Sequence, residues 1–173
     1  RLTPEAARER LQALGFRDPK GALRHIEALT EGLSRRAAIQ RHLLPVMLGW
    51  FAQEIDPDGG LLAFRDVSES LGTTHWYLRL LRDEPQAAEY LARTLARSRF
   101  AADVLRSAPE GVQILGDAGG LVPRSRADIE RRMRVAASIK KTPEQAVKAA
   151  RQIRKVELFR VAVADLMTGL GSS

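Results

Sequence analysis

The sequence predicts an all-α protein, a multi-helix bundle of short antiparallel helices with a long carboxy-terminal helix. Six prolines stand where an apolar-periodic segment begins behind a polar or boundary residue, a position typical of the first helical turn. No segment alternates apolar and polar residues over the length of a strand. Helices are expected near residues 4–13, 19–31, 34–53, 57–71, 73–83, 85–98, 99–107, 109–115, 125–138 and 143–168.

Local signals place the first three helices. The first is predicted to end at Gly15 and the second to be capped by Asp18, because glycine is typical after a last turn and aspartate before a first one. Phe16 between them is expected to reach the core. The third helix begins at Ser34 and contains Pro45, which removes one helix hydrogen bond, so we expect a kink there.

Farther along, the leucines of residues 56–107 fit short helices that stack in antiparallel pairs. No fixed sequence period recurs, which disfavours a true repeat family. Residues 116–124 contain three glycines and a proline and are predicted to be a loop or hinge. This division gives a helical central or linker domain at 1–115 and a basic helix followed by a lead-in helix at 125–173.

The last predicted helix has a basic stripe and an apolar stripe. The basic stripe comprises Lys148, Arg151, Arg154 and Lys155, and the apolar stripe comprises Ile153, Val156, Phe159, Val163 and Leu166. Because the apolar stripe needs a packing partner, we expect the sequence to be part of a longer protein whose next domain covers it. The helix at 143–168 should then be the least protected from hydrogen exchange in this chain alone.

Composition narrows the possible functions. The chain has no cysteine, which excludes disulfides and cysteine-based zinc sites and favours a cytoplasmic location. A net charge of +7, from 28 Lys and Arg residues, favours an anionic partner. Aromatic residues make up only 5% and are not interleaved with the basic ones, so nucleic acid is not the first choice. No apolar run is long enough to span a membrane, and no membrane partner is expected.

No catalytic, metal or cofactor-binding residue is predicted from the residues alone. His25, His42 and His75 lie on separate predicted helices without metal-ligand spacing. The segment at 56–60 begins like a calcium loop but lacks the later acidic ligands, so a capped turn is favoured. Residues 75–77, His-Trp-Tyr, could line a groove, although core packing is the favoured interpretation.

A second candidate for metal binding is the acidic pair Asp128 and Glu130. It follows a glycine pair at 119–120 with nearly the spacing used by polymerase-β-type nucleotidyltransferases, whose two carboxylates hold magnesium. Such carboxylates must point the same way, but residues i and i+2 of a helix diverge by about 200°. The two acids are therefore interpreted as first-turn residues that favour the helix dipole.

The last helix also carries a family resemblance. VKAARQIRKVELFRVAVADLMTGL resembles the helix that leads into a catalytic domain of glutamine synthetase adenylyltransferases, where basic residues precede the pattern E-L-x-R-I-A-x-x-D-L. The matching residues are Arg154-Lys155, Glu157-Leu158, Arg160, Ala162 and Asp165-Leu166, with Val161 for the usual isoleucine. Similar segments occur upstream: LGFRDPKGAL, Arg41 to Pro45, Tyr77 to Pro85, and SRFAADVLRSAPEGVQILGD.

The resemblance implies a function for the whole parent enzyme. In that family, an amino-terminal half removes adenylyl groups from glutamine synthetase and a carboxy-terminal half adds them from ATP with magnesium, each through a nucleotidyltransferase domain. This chain resembles the non-catalytic helical region that leads into the adenylylating half, so ATP and magnesium are expected only in the full-length enzyme. The implied partners are the flanking nucleotidyltransferase domains, glutamine synthetase and a PII-type signal protein.

Seven residues of the last helix are expected to make interdomain or partner contacts: Arg151, Arg154, Lys155, Glu157, Phe159, Arg160 and Asp165. Two alternatives stay open. One is a basic helical module that binds nucleic acid through residues 124–155, for which affinity should fall steeply with salt. The other is a generic helical scaffold.

Overall fold

The computed structural model describes residues 2–72, 74–116 and 122–170, and these residues form α-helices and one 3₁₀ helix without a strand. The elements are α1 (Pro4–Leu14), α2 (Pro19–Thr30), α3 (Arg35–Ala52), α4 (Pro57–Leu71), α5 (His75–Asp83), α6 (Pro85–Arg97), α7 (Arg99–Ser107), the 3₁₀ helix (Pro109–Gly116), α8 (Arg126–Ser138) and α9 (Pro143–Leu170). The all-α prediction is confirmed. The segment expected to be helical at 109–115 is a 3₁₀ helix.

Short-range hydrogen bonds determine where most helices begin. The capping side chains each accept a bond from the backbone N–H three residues later, at 3.0 to 3.2 Å. They belong to Thr3, Asp18, Ser34, Asp56, Ser98, Ser125 and Thr142. Gly15 follows α1 with φ of 113°, a conformation that favours glycine. Pro45 does not interrupt α3, which is continuous.

Helix α4 lies at the centre of the core and contacts α2, α3, α6 and α7. Its residues Leu61, Phe64 and Val67 are fully buried, and the rings of Phe64 and Phe51 are 6.2 Å apart. Gly60 lets α4 cross α6 closely, because a Cβ at that position would lie 2.6 Å from the Cβ of Ala96. The core is therefore built around one close helix crossing.

The apolar stripe of α9 is covered by this chain itself, which corrects the expectation that another domain covers it. Helix α9 packs on α6, α7 and the 3₁₀ helix. Phe159 and Val163 are fully buried and Leu166 is 5% exposed, while Ile153 and Val156 are half-buried. The two shorter helices and the 3₁₀ segment provide the apolar surface on which the stripe packs. Hydrophobic burial thus joins α9 to the helical body.

The loop or hinge predicted at 116–124 lies mostly outside the described residues, which omit 117–121. Helix α8, which follows it, packs against α9, and none of its residues is buried. We call residues 124–155, which contain α8 and the first part of α9, the basic hairpin. The division into domains at 1–115 and 125–173 stays a prediction.

Candidate functional site

The basic hairpin contains all of the net positive charge of the protein. Residues 124–155 include eleven Lys and Arg residues and three carboxylates, a net charge of +8 against +7 for the whole chain. The rest of the sequence is therefore nearly neutral. A charge confined to two adjacent helices produces a local positive potential, which makes this hairpin the first candidate for a functional surface.

Arginines of α8 are largely neutralised within the hairpin. Asp128 pairs with Arg131 and, at 3.0 Å, with Arg132, while Glu130 accepts from Arg126 at 2.9 Å. The hydrogen bonds from Arg131 and then Arg132 lower the pKa of Asp128 below its ordinary value. Those arginines have their counter-charges already and are poorly suited to bind another anion.

Seven other cations of the hairpin make no ion pair with any residue that the structure describes. They are Arg134, Lys140, Lys141, Lys148, Arg151, Arg154 and Lys155. All are exposed except Lys155, which is half-buried. Their charges face solvent without compensation, so an anionic partner could bind them without first breaking an internal ion pair.

Three of these cations line a groove of about 610 Å³ between α9 and the end of α7. The groove is lined by Ser107, Pro143, Glu144, Val147, Lys148, Arg151, Gln152 and Lys155. Gln152 Nε2 donates to the backbone carbonyl oxygen of Ser107 at 3.1 Å, which holds α9 against α7. One hydrogen bond therefore joins the two sides of the groove.

A buried charge cluster farther along α9 ties this helix to the segment before α8. Arg160 Nε donates to Glu157 Oε2 at 3.0 Å, and Arg124 Nη1 donates to Glu157 Oε1 at 3.1 Å. The side chains of Glu157 and Arg160 are 7% and 5% exposed. Hydrogen bonds from two guanidinium groups fix the orientation of this one carboxylate, so the cluster acts as a polar anchor within an apolar interface.

Four of the seven predicted contact residues lie at or near the surface. Arg151, Arg154 and Asp165 are exposed, and Lys155 is half-buried in the groove wall. Since none of their side chains packs in the core, they are placed where a neighbouring domain or partner could reach them. Their contact role stays a prediction.

The other three predicted contact residues lie inside this chain. Phe159 is fully buried in the core, close to Gly111 of the 3₁₀ helix. Glu157 and Arg160 form the buried pair described above. Their neighbours are this protein's own helices because the apolar side of α9 packs on α7 and the 3₁₀ helix, so these three residues anchor α9. Their contact role also stays a prediction.

The acidic residues weighed as metal ligands have other roles. Asp56 caps α4, and Asp58 accepts hydrogen bonds from the backbone N–H groups of Arg17 and Asp18 at 2.8 and 3.0 Å, which confirms the capped turn. Asp128 is bound by arginines and does not fit a magnesium ion. Within residues 2–72, 74–116 and 122–170, no group of three His, Cys, Asp or Glu side chains could hold a metal.

The histidines are not brought together, since His25, His42 and His75 lie on α2, α3 and α5. Arg65 Nη1 donates to Nδ1 of His25 at 3.1 Å. Burial, followed by the charge of Arg65, lowers the pKa of His25, so this imidazole is held neutral as a hydrogen-bond acceptor. These observations describe a structural histidine.

Of the aromatic segment at 75–77, Tyr77 lies in the core and Trp76 packs against it, as favoured by the sequence, whereas His75 is exposed. Tyr77 is fully buried and its hydroxyl lies 2.7 Å from Ser68 Oγ. Burial raises the pKa of Tyr77, which keeps the phenol neutral. The ring of Trp76 meets that of Tyr77 edge-on at 6.1 Å.

No described helix is both long and apolar enough to cross a membrane.

Sequence reasoning missed two residues of the site and one buried charge cluster outside it. Arg124 pairs with Glu157 across 33 positions, and no local pattern signals such a contact. Gln152 could have been found, because it follows Lys148 by four residues and would share its helix face. The buried carboxylate of Glu54, held by Arg93 and Arg97 at 3.3 and 2.8 Å, joins the end of α3 to α6 and also had no local signal.

Comparison with known proteins gives consistent relatives. The model of the family described as Glutamate-ammonia ligase adenylyltransferase matches residues 88–171, from α6 to the end of α9. The bifunctional glutamine synthetase adenylyltransferase/adenylyl-removing enzyme of Streptomyces coelicolor is 59% identical over 174 residues, covering 99% of this chain and 17% of that protein. The enzymes of that name from Streptomyces avermitilis and Cutibacterium acnes are 56% and 52% identical, each over 99% of this chain.

The chain spans about one-sixth of the length of these curated relatives, 17% or 18% of each. No solved structure matches it. The similarity runs through both parts of the fold, because the matching residues include the helical body as well as the basic hairpin and the buried half of α9. On these grounds, the chain belongs to the glutamate-ammonia ligase adenylyltransferase family.

Proposed function

We propose that this chain is the helical linker and regulatory region of a bifunctional enzyme that adenylylates and deadenylylates glutamine synthetase. The printed names of the relatives, which give both activities, support this proposal, as does the small share of their length that the chain spans. In the whole cytoplasmic enzyme, flanking nucleotidyltransferase domains use ATP and magnesium. No residue described above is assigned to hold either.

The observation that carries the proposal is the anchoring of α9. Its second half is buried through Phe159, Val163 and Leu166, and the Glu157–Arg160 pair lies beside them. A helix of 28 residues, about 42 Å long, cannot slide or rotate on the body without exposing these apolar side chains and the buried charges of the pair. Such a helix transmits a displacement of the body to whatever it joins.

The surface residues of α9 have the second part in the proposal. Arg151, Arg154, Lys155 and Asp165 contact a flanking domain, glutamine synthetase or a PII-type signal protein. Their exposure and the uncompensated charge of the three cations support this role. A partner that binds these residues displaces α9. Because α9 is packed firmly on the helical body, its displacement changes the position of the flanking domains relative to each other.

The coupling is tested by inserting a short flexible glycine–serine segment after Leu170 in the whole enzyme. Both catalytic activities should remain, because the insertion lies outside the nucleotidyltransferase domains of the proposal. The response of the adenylylation-to-deadenylylation ratio to a titrated PII-type protein should fall at least about fivefold, since a flexible segment transmits no displacement. Initial rates of both reactions on glutamine synthetase give the ratio.

The matched control places the same insertion beside Leu33, which lies in the α2–α3 loop and is 99% exposed. This site is away from α9, so the regulatory response should be kept. An unchanged response in the Leu170 insertion, or an equal loss in both insertions, would contradict the linker role.

A further inference from the structure

The charges along the groove side of α9 follow a fixed order. Glu144, Lys148, Arg151 and Lys155 are separated by four, three and four residues, so they fall on one face of the helix. The order is one negative charge followed by three positive charges over about 17 Å. The three cations have no internal ion pair among the described residues, and the bond from Gln152 to Ser107 joins the two sides of their groove.

The same face also offers a small apolar contact. Val147 is 50% exposed and lines the groove together with Pro143. An amphipathic partner helix carries both charged and apolar residues at three- and four-residue spacing. Such a helix therefore needs a binding surface that has aliphatic side chains beside a row of charges. The groove thus combines shape, charge order and apolar area.

We propose that this groove binds an acidic amphipathic helix of a partner protein, in which one basic residue and three acidic residues repeat the spacing of Glu144, Lys148, Arg151 and Lys155 with opposite sign. The proposal deepens the contact role given above to Arg151 and Lys155, and in that respect it rests on the proposed function. It names the chemistry of the partner. A parallel helix would carry carboxylates at i, i+3 and i+7 and a cation at i−4, and an antiparallel helix would carry carboxylates at i, i+4 and i+7 and a cation at i+11.

Charge complementarity disfavours the other occupants. A nucleic-acid backbone would gain from the cations but would bring phosphates to Glu144, and no aromatic side chain lines the groove for base stacking. A membrane surface needs large apolar side chains such as Leu, Phe or Trp, whereas the groove offers Val147 and Pro143. A second copy of this chain would present the same basic row and be repelled.

The test measures binding of a fluorescently labelled, alanine-rich helical peptide to the 173-residue chain. The matched peptide carries one Lys and three Glu in the complementary spacing with valines beside them. A first control peptide has Gln for each Glu, and a second has the same composition with its charges scattered around the helix. The chain should bind the matched peptide, and the two control peptides should bind at least about tenfold more weakly.

Variants of the chain locate the binding surface. Replacement of the groove cations, K148Q/R151Q/K155Q, should weaken the matched peptide about tenfold. The matched control, R134Q/K140Q/K141Q, removes the same charge from the hairpin outside the groove and should change affinity less than about threefold. Charge reversal, K148E/R151E/K155E, should restore binding to a peptide in which the three Glu are Lys. Circular dichroism checks that each exposed substitution leaves the fold intact.

Several results would overturn the proposal. They are absence of binding by the matched peptide, equal losses in the two triple-glutamine variants, equal binding of the scattered peptide, and tighter binding of a double-stranded DNA oligonucleotide or of phosphatidylglycerol vesicles. Self-association of the chain that K148Q/R151Q/K155Q abolishes would also overturn it. These experiments measure peptide binding by this chain, whereas the linker proposal is tested by the regulatory response of the whole enzyme. Either proposal can therefore be contradicted while the other is supported.

Discussion

At the scale of single residues, the partner of each charged side chain in the hairpin region decides what that side chain can do. Arg160 and Arg151 are nine residues apart on one helix, yet Arg160 is 4% exposed and bound to Glu157, whereas Arg151 is exposed without an ion pair in the described structure. Because the Arg160–Glu157 pair is buried, breaking it costs free energy. Arg151 lies in solvent and is available to bind an anionic partner. Residue type alone would not separate them.

Replacing Glu157 by glutamine should destabilise the protein because the neutral amide leaves the charge of Arg160 buried without a counter-charge. We expect the free energy of unfolding to fall by roughly 3 kcal/mol. The matched control is Glu130→Gln, whose partner Arg126 and own side chain are 92% and 50% exposed, and its cost should stay below about 0.5 kcal/mol. Urea denaturation followed by circular dichroism measures both. Equal costs would mean that the buried pair is not an anchor.

At the scale of elements, the close crossing of α4 and α6 depends on the absence of a side chain at Gly60. Gly60→Ala places a Cβ 2.6 Å from the Cβ and 2.8 Å from the Cα of Ala96, and the backbone atom cannot rotate away. We expect a loss of about 1 to 3 kcal/mol in the free energy of unfolding, as is usual for overpacking. Thermal and urea unfolding of the purified variant would measure it.

Gly49 provides the control for that substitution, because a Cβ there meets no atom within 4 Å. Gly49→Ala in the last turn of α3 should stabilise the protein by about 0.5 to 1 kcal/mol through helix propensity. If both alanine variants changed stability in the same direction, the α4–α6 crossing would not be limited by the side chain at position 60.

The helix ends could be predicted from the sequence because they depend on neighbours a few residues apart. Asp18 and Ser34 cap helices that begin at the next residue, as expected from their type and position. The surface beneath Phe159 could not be predicted, since it is formed by α7 and the 3₁₀ helix, which lie more than 40 residues earlier. An apolar stripe shows that a helix is covered and does not show by what.

The same distinction applies to the candidate site. The basic stripe with Lys148 and Arg151 is visible from helical spacing, and the pairing of Glu130 with Arg126 follows from their separation of four residues. The groove itself depends on Gln152 meeting the carbonyl group of Ser107, 45 positions earlier. Local patterns therefore located the charges, and only the fold located the concave surface.

At the scale of the whole molecule, the protein consists of a tightly packed body and a hairpin with little buried surface. The core cluster extends from Leu11 through the body and includes Phe159 and Val163 of α9, but no residue of α8. Since apolar burial is the main favourable term in folding, the free energy of opening should differ between these parts. Helix α9 belongs to both, with its first half in the hairpin and its second half in the core.

Native-state hydrogen exchange should resolve this division of α9. We expect amides of α8 and residues 143–155 to exchange through a local opening with little dependence on urea, and residues 156–166 to exchange with α4 in the global unfolding transition. The apolar side of the second half is covered, so uniform weak protection across 143–168 is no longer expected. Amide exchange followed by nuclear magnetic resonance at increasing urea measures each opening free energy. Protection in α8 equal to that in α4 would contradict the division. If the buried pair is what makes the second half of α9 more stable than the first, Glu157→Gln should lower the protection of residues 156–166 to that of residues 143–155.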